Sequence, residues 1–185
     1  VLLANPNNPT GTYLGRSALE RFLDRMPPDV IVVMDEAYIE YTRAADFPDS
    51  LDLRDRHPRL LTLRTFSKIY GLAGLRLGYA IGPKALIEPM NRVREPFNVN
   101  AAAQIAGLAA LDDAEHVERS RRTNAEGIEY LSKELAALGC EVVPSQANFL
   151  LVGVHRPAAE LYEQLLRRGV IVRPLLGYGL PRHLR

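Results

Sequence analysis

Four short motifs carry the residue types that could do chemistry in this chain. They are residues 5–11 (NPNNPTG), 35–38 (DEAY), 65–68 (TFSK) and 71–76 (GLAGLR). A lysine amine, such as that of Lys68, can bond covalently to an aldehyde. The planar guanidinium of an arginine such as Arg76 can donate two parallel hydrogen bonds to a phosphate. Taken singly, however, each motif is also typical of a turn, a helix cap or a solvated charge pair.

The elements around these motifs decide whether they can act together. Apolar runs at residues 1–4, 30–34 and 60–63 suit buried strands, and each is followed by one of the first three motifs. A fourth strand is predicted at 77–81. Between the first two strands, a Ser-x-x-Glu capping box at 17–20 and apolar residues at helical spacing predict a helix. This pattern predicts a mostly parallel α/β sheet flanked by helices, with the motifs meeting at the carboxyl ends of its strands.

The second half of the chain has a different pattern. Residues 99–138 predict two long helices, the second ending at Gly139. Beyond them, apolar runs at 141–143, 148–152 and 170–172 predict strands, and residues 158–168 predict a helix. We therefore expect two domains. Residues 1–112 form part of a large domain, and residues 113–185 form an incomplete, smaller α+β domain.

The four motifs, in this order, resemble those of the fold type I aminotransferases, which depend on pyridoxal 5'-phosphate (PLP). The pattern of that family is Asn-Pro-x-Asn-Pro-Thr-Gly, Asp-Glu-x-Tyr, Ser-Lys and Gly-Leu-x-Gly-x-Arg-x-Gly, and every part of it is present. The resemblance covers nearly the whole chain. It implies a fold type I PLP-transferase in which residues 1–112 belong to the PLP-binding domain.

The resemblance also implies a set of site residues. Lys68 would hold the cofactor as a Schiff base, and Lys68, Asp35 and Tyr38 would be the catalytic residues. The implied cofactor-binding residues are Asn8, Asp35, Tyr38, Ser67, Lys68 and Arg76. Among them, Asp35 would pair with the protonated pyridine nitrogen, and Tyr38 and Asn8 would hydrogen-bond the phenolic oxygen. Ser67 and Arg76 would hold the phosphate.

These implied roles agree with the chemistry of the side chains. A pyridine ring withdraws electrons well only while its nitrogen stays protonated, and a carboxylate at Asp35 would keep that proton in place. Lys68 is the only lysine in a motif at the predicted strand ends. Once a substrate displaces it from the cofactor, its amine could carry a proton from the substrate α-carbon.

Weaker motifs resemble the histidinol-phosphate branch of the family. They are residues 35–41, 71–79, 94–100 and 169–174. The resemblance implies transfer of an amino group from histidinol phosphate to 2-oxoglutarate, giving imidazole acetol phosphate and glutamate in histidine biosynthesis. The last two residues match the start of a family segment, which implies that Arg185 binds the substrate α-carboxylate. Arg173 would bind a second anionic group, the substrate phosphate or the distal carboxylate. Two solvated arginines are the alternative.

Other functions remain open at this point. An aromatic amino acid aminotransferase or a threonine-phosphate decarboxylase would share most of these motifs. A transcription regulator with an aminotransferase-like effector domain is an alternative of another class, and it would carry a DNA-binding domain before Val1.

Composition and charge exclude several other classes. The formal charge of +1 and the interleaved acidic and basic residues leave no basic stripe for a nucleic acid. No apolar run reaches the ~18 residues of a membrane span. The single cysteine, Cys140, cannot form an internal disulfide, and the four histidines are too far apart to suggest a metal site. We expect a cytoplasmic enzyme with small-molecule substrates.

The ends of the chain lead to a further expectation. It opens on an apolar run without an initiator methionine, which is typical of a strand inside a domain. Family members carry a long segment before the first motif, and their active site lies at a homodimer interface. We therefore expect residues 1–185 alone to be inactive, to bind PLP weakly and to expose apolar surface.

Overall fold

The computed structural model describes residues 1–185, which form five α-helices and eight strands. The strands are β1 (Leu2–Ala4), β2 (Val32–Asp35), β3 (Leu60–Thr65), β4 (Gly78–Ile81), β5 (Glu141–Val143), β6 (Leu151–Gly153), β7 (Pro174–Leu175) and β8 (Leu180–Leu184). The α-helices are α1 (Arg16–Arg25), α2 (Lys84–Val93), α3 (Ala101–Asp112), α4 (Ala114–Ala137) and α5 (Ala158–Leu166). Short 3₁₀ turns connect several of them.

The first sheet has the strand order β1-β2-β3-β4. Strands β1, β2 and β3 are parallel, and β4 runs antiparallel to β3. Because the first three strands are parallel, their carboxyl ends meet at one edge of the sheet, and Ala4 pairs with Asp35 while Asp35 pairs with Leu63. The prediction of a mostly parallel sheet flanked by helices is confirmed.

Helix α1 packs on this sheet through its apolar face. Leu19 and Leu23 are almost fully buried and contact Val32 and Met34 of β2. The capping box predicted at residues 17–20 is wrong. The helix starts at Arg16, whose backbone N–H donates to the Asp46 carbonyl at 2.8 Å, so Ser17 lies within the first turn.

The second half begins with α3 and α4, and the chain leaves α4 through Gly139 at φ +81°. This confirms the predicted pair of helices. Strands β5, β6, β8 and β7 then form an antiparallel sheet. The strand predicted at 170–172 is wrong, because the Val170 N–H donates back to the Leu165 carbonyl at 2.9 Å and closes the end of α5. The strand β7 starts only at Pro174.

The two sheets are joined by side-chain packing as well as by the chain. Tyr38, Tyr41 and Ile69 of the first half form one buried cluster with Ala147 of the second half. The division into domains at residue 112 stays a prediction. None of the helices combines the length and the apolar character needed to cross a bilayer.

Candidate active site

The loop after β3 holds Lys68 in a fixed backbone conformation. The Thr65 hydroxyl accepts a hydrogen bond from the Ser67 N–H at 3.0 Å. The Gly71 N–H donates to the Lys68 carbonyl at 3.0 Å, and the Leu72 N–H donates to the Phe66 carbonyl at 3.0 Å. The loop is therefore closed by its own backbone bonds, and Lys68 lies half-buried at the carboxyl end of the strand.

Asp35 ends the neighbouring strand β2. Its carboxylate oxygen Oδ1 accepts a hydrogen bond from the Ala37 N–H at 3.1 Å. This bond orients the carboxylate at the strand end, where the side chain is half-buried. The neighbouring strands β2 and β3 thus place a carboxylate and an amine at the same edge of the sheet.

One open cavity of about 440 Å³ lies between these strand ends and the loop that follows Lys68. Its lining residues are Asp35, Ala37, Leu63, Arg64, Thr65, Ser67, Lys68, Ala73, Arg76, Leu77 and Gly78. The cavity therefore brings together four of the site residues expected from the sequence. Arg64 is paired with Glu36 and Asp49, but Lys68 and Arg76 make no ion pair with a carboxylate, and Asp35 is the one carboxylate of the lining, so the cavity suits an anionic ligand.

Arg76 has an unusual backbone conformation in this lining. It adopts φ +55°, in the left-handed region that few non-glycine residues occupy. Its Nη1 donates to the Ala73 carbonyl at 2.7 Å, and the side chain is otherwise exposed. Such conformations concentrate at functional sites, where the surrounding structure holds them.

Tyr38, Asn8 and Arg185 form a chain of contacts that leads away from Lys68. The Lys68 Nζ lies 5.3 Å from the centroid of the buried Tyr38 ring. The Asn8 amide Nδ2 donates to the Tyr38 hydroxyl at 3.4 Å, and Arg185 Nη1 donates to Asn8 Oδ1 at 2.7 Å. Asn8 and Arg185, 177 positions apart in the sequence, are thus joined, and Tyr38 connects them to Lys68.

Phe149 belongs to the same group, although it lies in none of the four motifs. Its ring packs edge-on against Tyr38 with centroids 5.2 Å apart, and the guanidinium of Arg185 lies 5.0 Å from its centroid. The latter distance allows a cation–π interaction. Phe149 occurs in an apolar run that predicted only a strand, so no sequence signal marked it.

Arg173 lies beside Arg185 through the backbone. The Arg173 N–H donates to the Arg185 carbonyl at 3.0 Å, and the Arg185 N–H donates to the Arg173 carbonyl at 2.8 Å. Residues that exchange both bonds in this way are directly opposite one another, and their side chains lie on the same face. The Arg173 side chain is exposed. Two arginine residues expected to bind anions are therefore cross-strand neighbours.

A buried ion pair between Glu36 and Arg64 lies next to Asp35, and it was not predicted from the sequence. Glu36, with 1% of its surface exposed, accepts hydrogen bonds from Arg64 Nε at 3.0 Å and Arg64 Nη2 at 2.8 Å. It also accepts one from the Ser50 N–H at 2.9 Å, and Arg64 makes a further bond to Asp49 at 2.7 Å. Burial raises the pKa of Glu36, while the bonds from Ser50 and the charge of Arg64 oppose that rise. The pair holds the backbone immediately after Asp35.

Comparison with known proteins identifies the family. Residues 1–185 match the sequence profile of aminotransferase class I and II. The chain belongs to this family. It is 55% identical over its whole length to a histidinol-phosphate aminotransferase of Pseudomonas aeruginosa, of which it covers 50%. It is 54% identical to another from Nitrosococcus oceani, of which it also covers 50%.

A solved relative shares the fold. The histidinol-phosphate aminotransferase of Sinorhizobium meliloti, determined in complex with pyridoxal-5'-phosphate, superposes with a TM-score of 0.89 at 29% identity. The match covers 100% of this chain and 51% of that one. The chain thus spans about half the length of the relatives that it matches. The resemblance to class I and II aminotransferases, and the α/β fold expected from it, are confirmed.

Proposed function

We propose that the protein containing this chain is a PLP-dependent aminotransferase that converts histidinol phosphate and 2-oxoglutarate to imidazole acetol phosphate and glutamate. One observation carries the proposal: Asp35, Lys68 and Arg76 line a single cavity at the carboxyl ends of parallel strands. The relatives that are 50–55% identical and named histidinol-phosphate aminotransferase support the choice of substrate.

The residues of the cavity match the functional groups of PLP. Lys68 offers an amine for the aldehyde, and Asp35 offers a carboxylate for the ring nitrogen. Ser67 and Arg76 offer a hydroxyl and a guanidinium for the phosphate. When bound, PLP supplies an electron-withdrawing ring that makes the substrate α-proton easier to remove.

The protein side chains hold and move protons around that ring. Asp35 keeps the ring nitrogen protonated, because its carboxylate favours a positive charge beside it. Lys68 would bond the cofactor aldehyde, and its amine, when free, would accept the proton from the substrate α-carbon and return it to a carbon of the cofactor. Tyr38 and Asn8, whose hydroxyl and amide nitrogen lie 3.4 Å apart, would hydrogen-bond the phenolic oxygen of the cofactor.

The two neighbouring arginines bind the anionic groups of the substrates. Arg185 is oriented by its 2.7 Å bond to Asn8 and by the Phe149 ring, which suits it to the α-carboxylate. Arg173 lies beside it with an exposed side chain, which suits it to the phosphate of histidinol phosphate or the distal carboxylate of 2-oxoglutarate.

A homodimer in the cytoplasm is part of the same proposal. The support in the structure is exposed apolar surface: Phe97 is 99% exposed, and Ile105 and Leu108 of α3 are 70% and 68% exposed. Apolar patches of this kind mark contact surfaces with other polypeptide.

Substrate profiling tests the proposal on the longest natural polypeptide that contains residues 1–185, called the full-length polypeptide below. With 2-oxoglutarate as acceptor, kcat/KM for histidinol phosphate is expected to exceed that for phenylalanine or aspartate by about tenfold or more. A higher value for phenylalanine would identify an aromatic amino acid aminotransferase. Release of CO₂ from threonine phosphate would identify a decarboxylase, and ligand binding without turnover would favour the regulator.

A further inference from the structure

His116 connects helix α4 to the loop that carries Lys68. Its Nε2 lies 3.0 Å from the carbonyl oxygen of Ile69, the residue directly after Lys68. Ile69 is 1% exposed, so this carbonyl belongs to a buried part of the loop. His116 lies in the first turn of α4, where its N–H donates to the capping Asp113 carboxylate at 2.9 Å.

The groups around the His116 imidazole indicate which ring nitrogen donates a hydrogen bond. A carbonyl oxygen can only accept, so Nε2 must carry the hydrogen. Nδ1 lies 3.5 Å from Arg119 Nη2, which can only donate, so Nδ1 is placed to accept. The Ser120 hydroxyl lies 3.4 Å from Nε2. The bond to Ile69 is therefore an N–H donated by Nε2 to the carbonyl oxygen.

The other backbone hydrogen bonds of the loop that carries Lys68 join residues of that loop to one another. The bonds from Gly71 to the Lys68 carbonyl and from Leu72 to the Phe66 carbonyl close the turn on itself. The bond from His116 ties the turn to α4 instead, 47 positions further along the chain. Because α4 leads directly into the second sheet, whose last strand β8 precedes Arg185, this bond links the position of Lys68 to that half of the protein.

We propose that His116 is a positioning residue for Lys68: its hydrogen bond to the Ile69 carbonyl holds the lysine in the geometry that bonds the cofactor. The inference rests on the proposed role of Lys68. Because this bond already holds the Lys68 loop in place, no free energy is spent on ordering the loop when the cofactor binds. Loss of the His116–Ile69 bond therefore weakens cofactor binding.

Three variants of the full-length polypeptide test this inference. His116→Leu removes the donor, whereas His116→Gln keeps an N–H donor near the position of Nε2. The matched control is His155→Leu, because His155 Nε2 makes a similar bond, 2.7 Å to the Gly139 carbonyl, just beyond the other end of α4. For each protein we would measure hydrogen exchange of the amides at 69–72, the affinity for PLP, and the rate at which borohydride fixes PLP on Lys68.

His116→Leu is expected to exchange these amides about fivefold faster and to bind PLP about fivefold more weakly, the effect of one lost hydrogen bond. His116→Gln and His155→Leu should stay within about twofold of the natural sequence. If His116→Leu does not fold, His116→Asn replaces it, because its shorter amide stops short of the carbonyl.

Two results would overturn the inference. One is unchanged exchange and affinity in His116→Leu, or in His116→Asn if it is used. The other is an equal loss in His155→Leu, which would show a general effect of α4 stability. If PLP is fixed elsewhere than Lys68 in the natural sequence, the proposed function fails instead, and the exchange data still report whether the bond holds the loop.

Discussion

Arg64→Met is expected to destabilise the fold strongly, because it leaves a buried carboxylate without its cation. Glu36 is 1% exposed and accepts two bonds from Arg64. Removing one partner of a buried ion pair typically costs ~3–5 kcal/mol. The side chain of Arg64 is itself 15% exposed, so some water can replace it, and we expect a loss near the lower end, about 3 kcal/mol.

A second substitution shows whether the buried charge is the cause. Glu36→Gln alone leaves Arg64 paired with Asp49, and the amide oxygen can still accept from the Ser50 N–H, while the amide NH₂ faces the Arg64 donors. Its loss should be about 2 kcal/mol, below that of Arg64→Met. The double variant contains no buried charge at position 36. It should therefore be more stable than Arg64→Met alone.

The pH dependence has a defined sign. Burial already raises the pKa of Glu36, and the loss of the Arg64 charge raises it further. The folded state then binds the proton more tightly than the unfolded state, so stability is gained as the pH falls through the folded pKa. The deficit of Arg64→Met should shrink at mildly acidic pH.

Urea unfolding of the full-length polypeptide, at neutral pH and one fixed protein concentration, measures these differences. Arg56→Met is the matched control, since it breaks only exposed pairs with Glu20 at 3.5 Å and Asp24 at 3.1 Å. Its loss should be at most about 1 kcal/mol. Two results would show that the unpaired charge of Glu36 is not the cause. One is a loss of unfolding free energy in Arg64→Met no larger than that in Arg56→Met, and the other is a further loss when Glu36→Gln is added to Arg64→Met.

Three further predictions concern the proposed reaction. Asp35→Asn keeps the shape of the side chain but loses the negative charge that keeps the ring nitrogen of PLP protonated. We therefore expect kcat to fall by about a hundredfold or more while PLP still binds, and near-normal kcat would contradict this role. Arg173→Leu should raise KM for histidinol phosphate or 2-oxoglutarate by about tenfold with little change in PLP affinity, and an unchanged KM for both would place Arg173 outside the site. Residues 1–185 expressed alone should bind PLP weakly and not transaminate, as the exposed apolar residues of α3 suggest; stoichiometric binding with normal turnover would overturn this.

Much of the fold could be predicted from hydrophobic pattern alone. The runs at 30–34 and 60–63 overlap β2 and β3, which pack against α1, and such strands are recognisable as continuous apolar stretches. Residues 170–172 have the same composition but form no strand, because Gly169 at φ +78° and the Val170 bond to Leu165 continue the end of α5. The apolar pattern cannot distinguish a paired strand from a helix terminus.

The candidate site could be predicted where one motif supplies both the residue and its context. Asp35, Ser67, Lys68 and Arg76 each occur in a motif at a strand end, and they line one cavity. Phe149 and His116 make their contacts with segments far away in the sequence. Their place depends on how the two sheets pack together, which no local spacing encodes. The same holds for Arg64, whose partner Glu36 lies on the neighbouring strand end.

The proposed role of Lys68 is tested most directly by identifying the lysine that bonds PLP. Full-length polypeptide incubated with PLP would be reduced with borohydride, digested and mapped by mass spectrometry. The label is expected on Lys68, at the carboxyl end of β3 and in the cavity shared with Asp35 and Arg76, and no label is expected in Lys68→Ala. Label on Lys84 or Lys133 in place of Lys68 would contradict it.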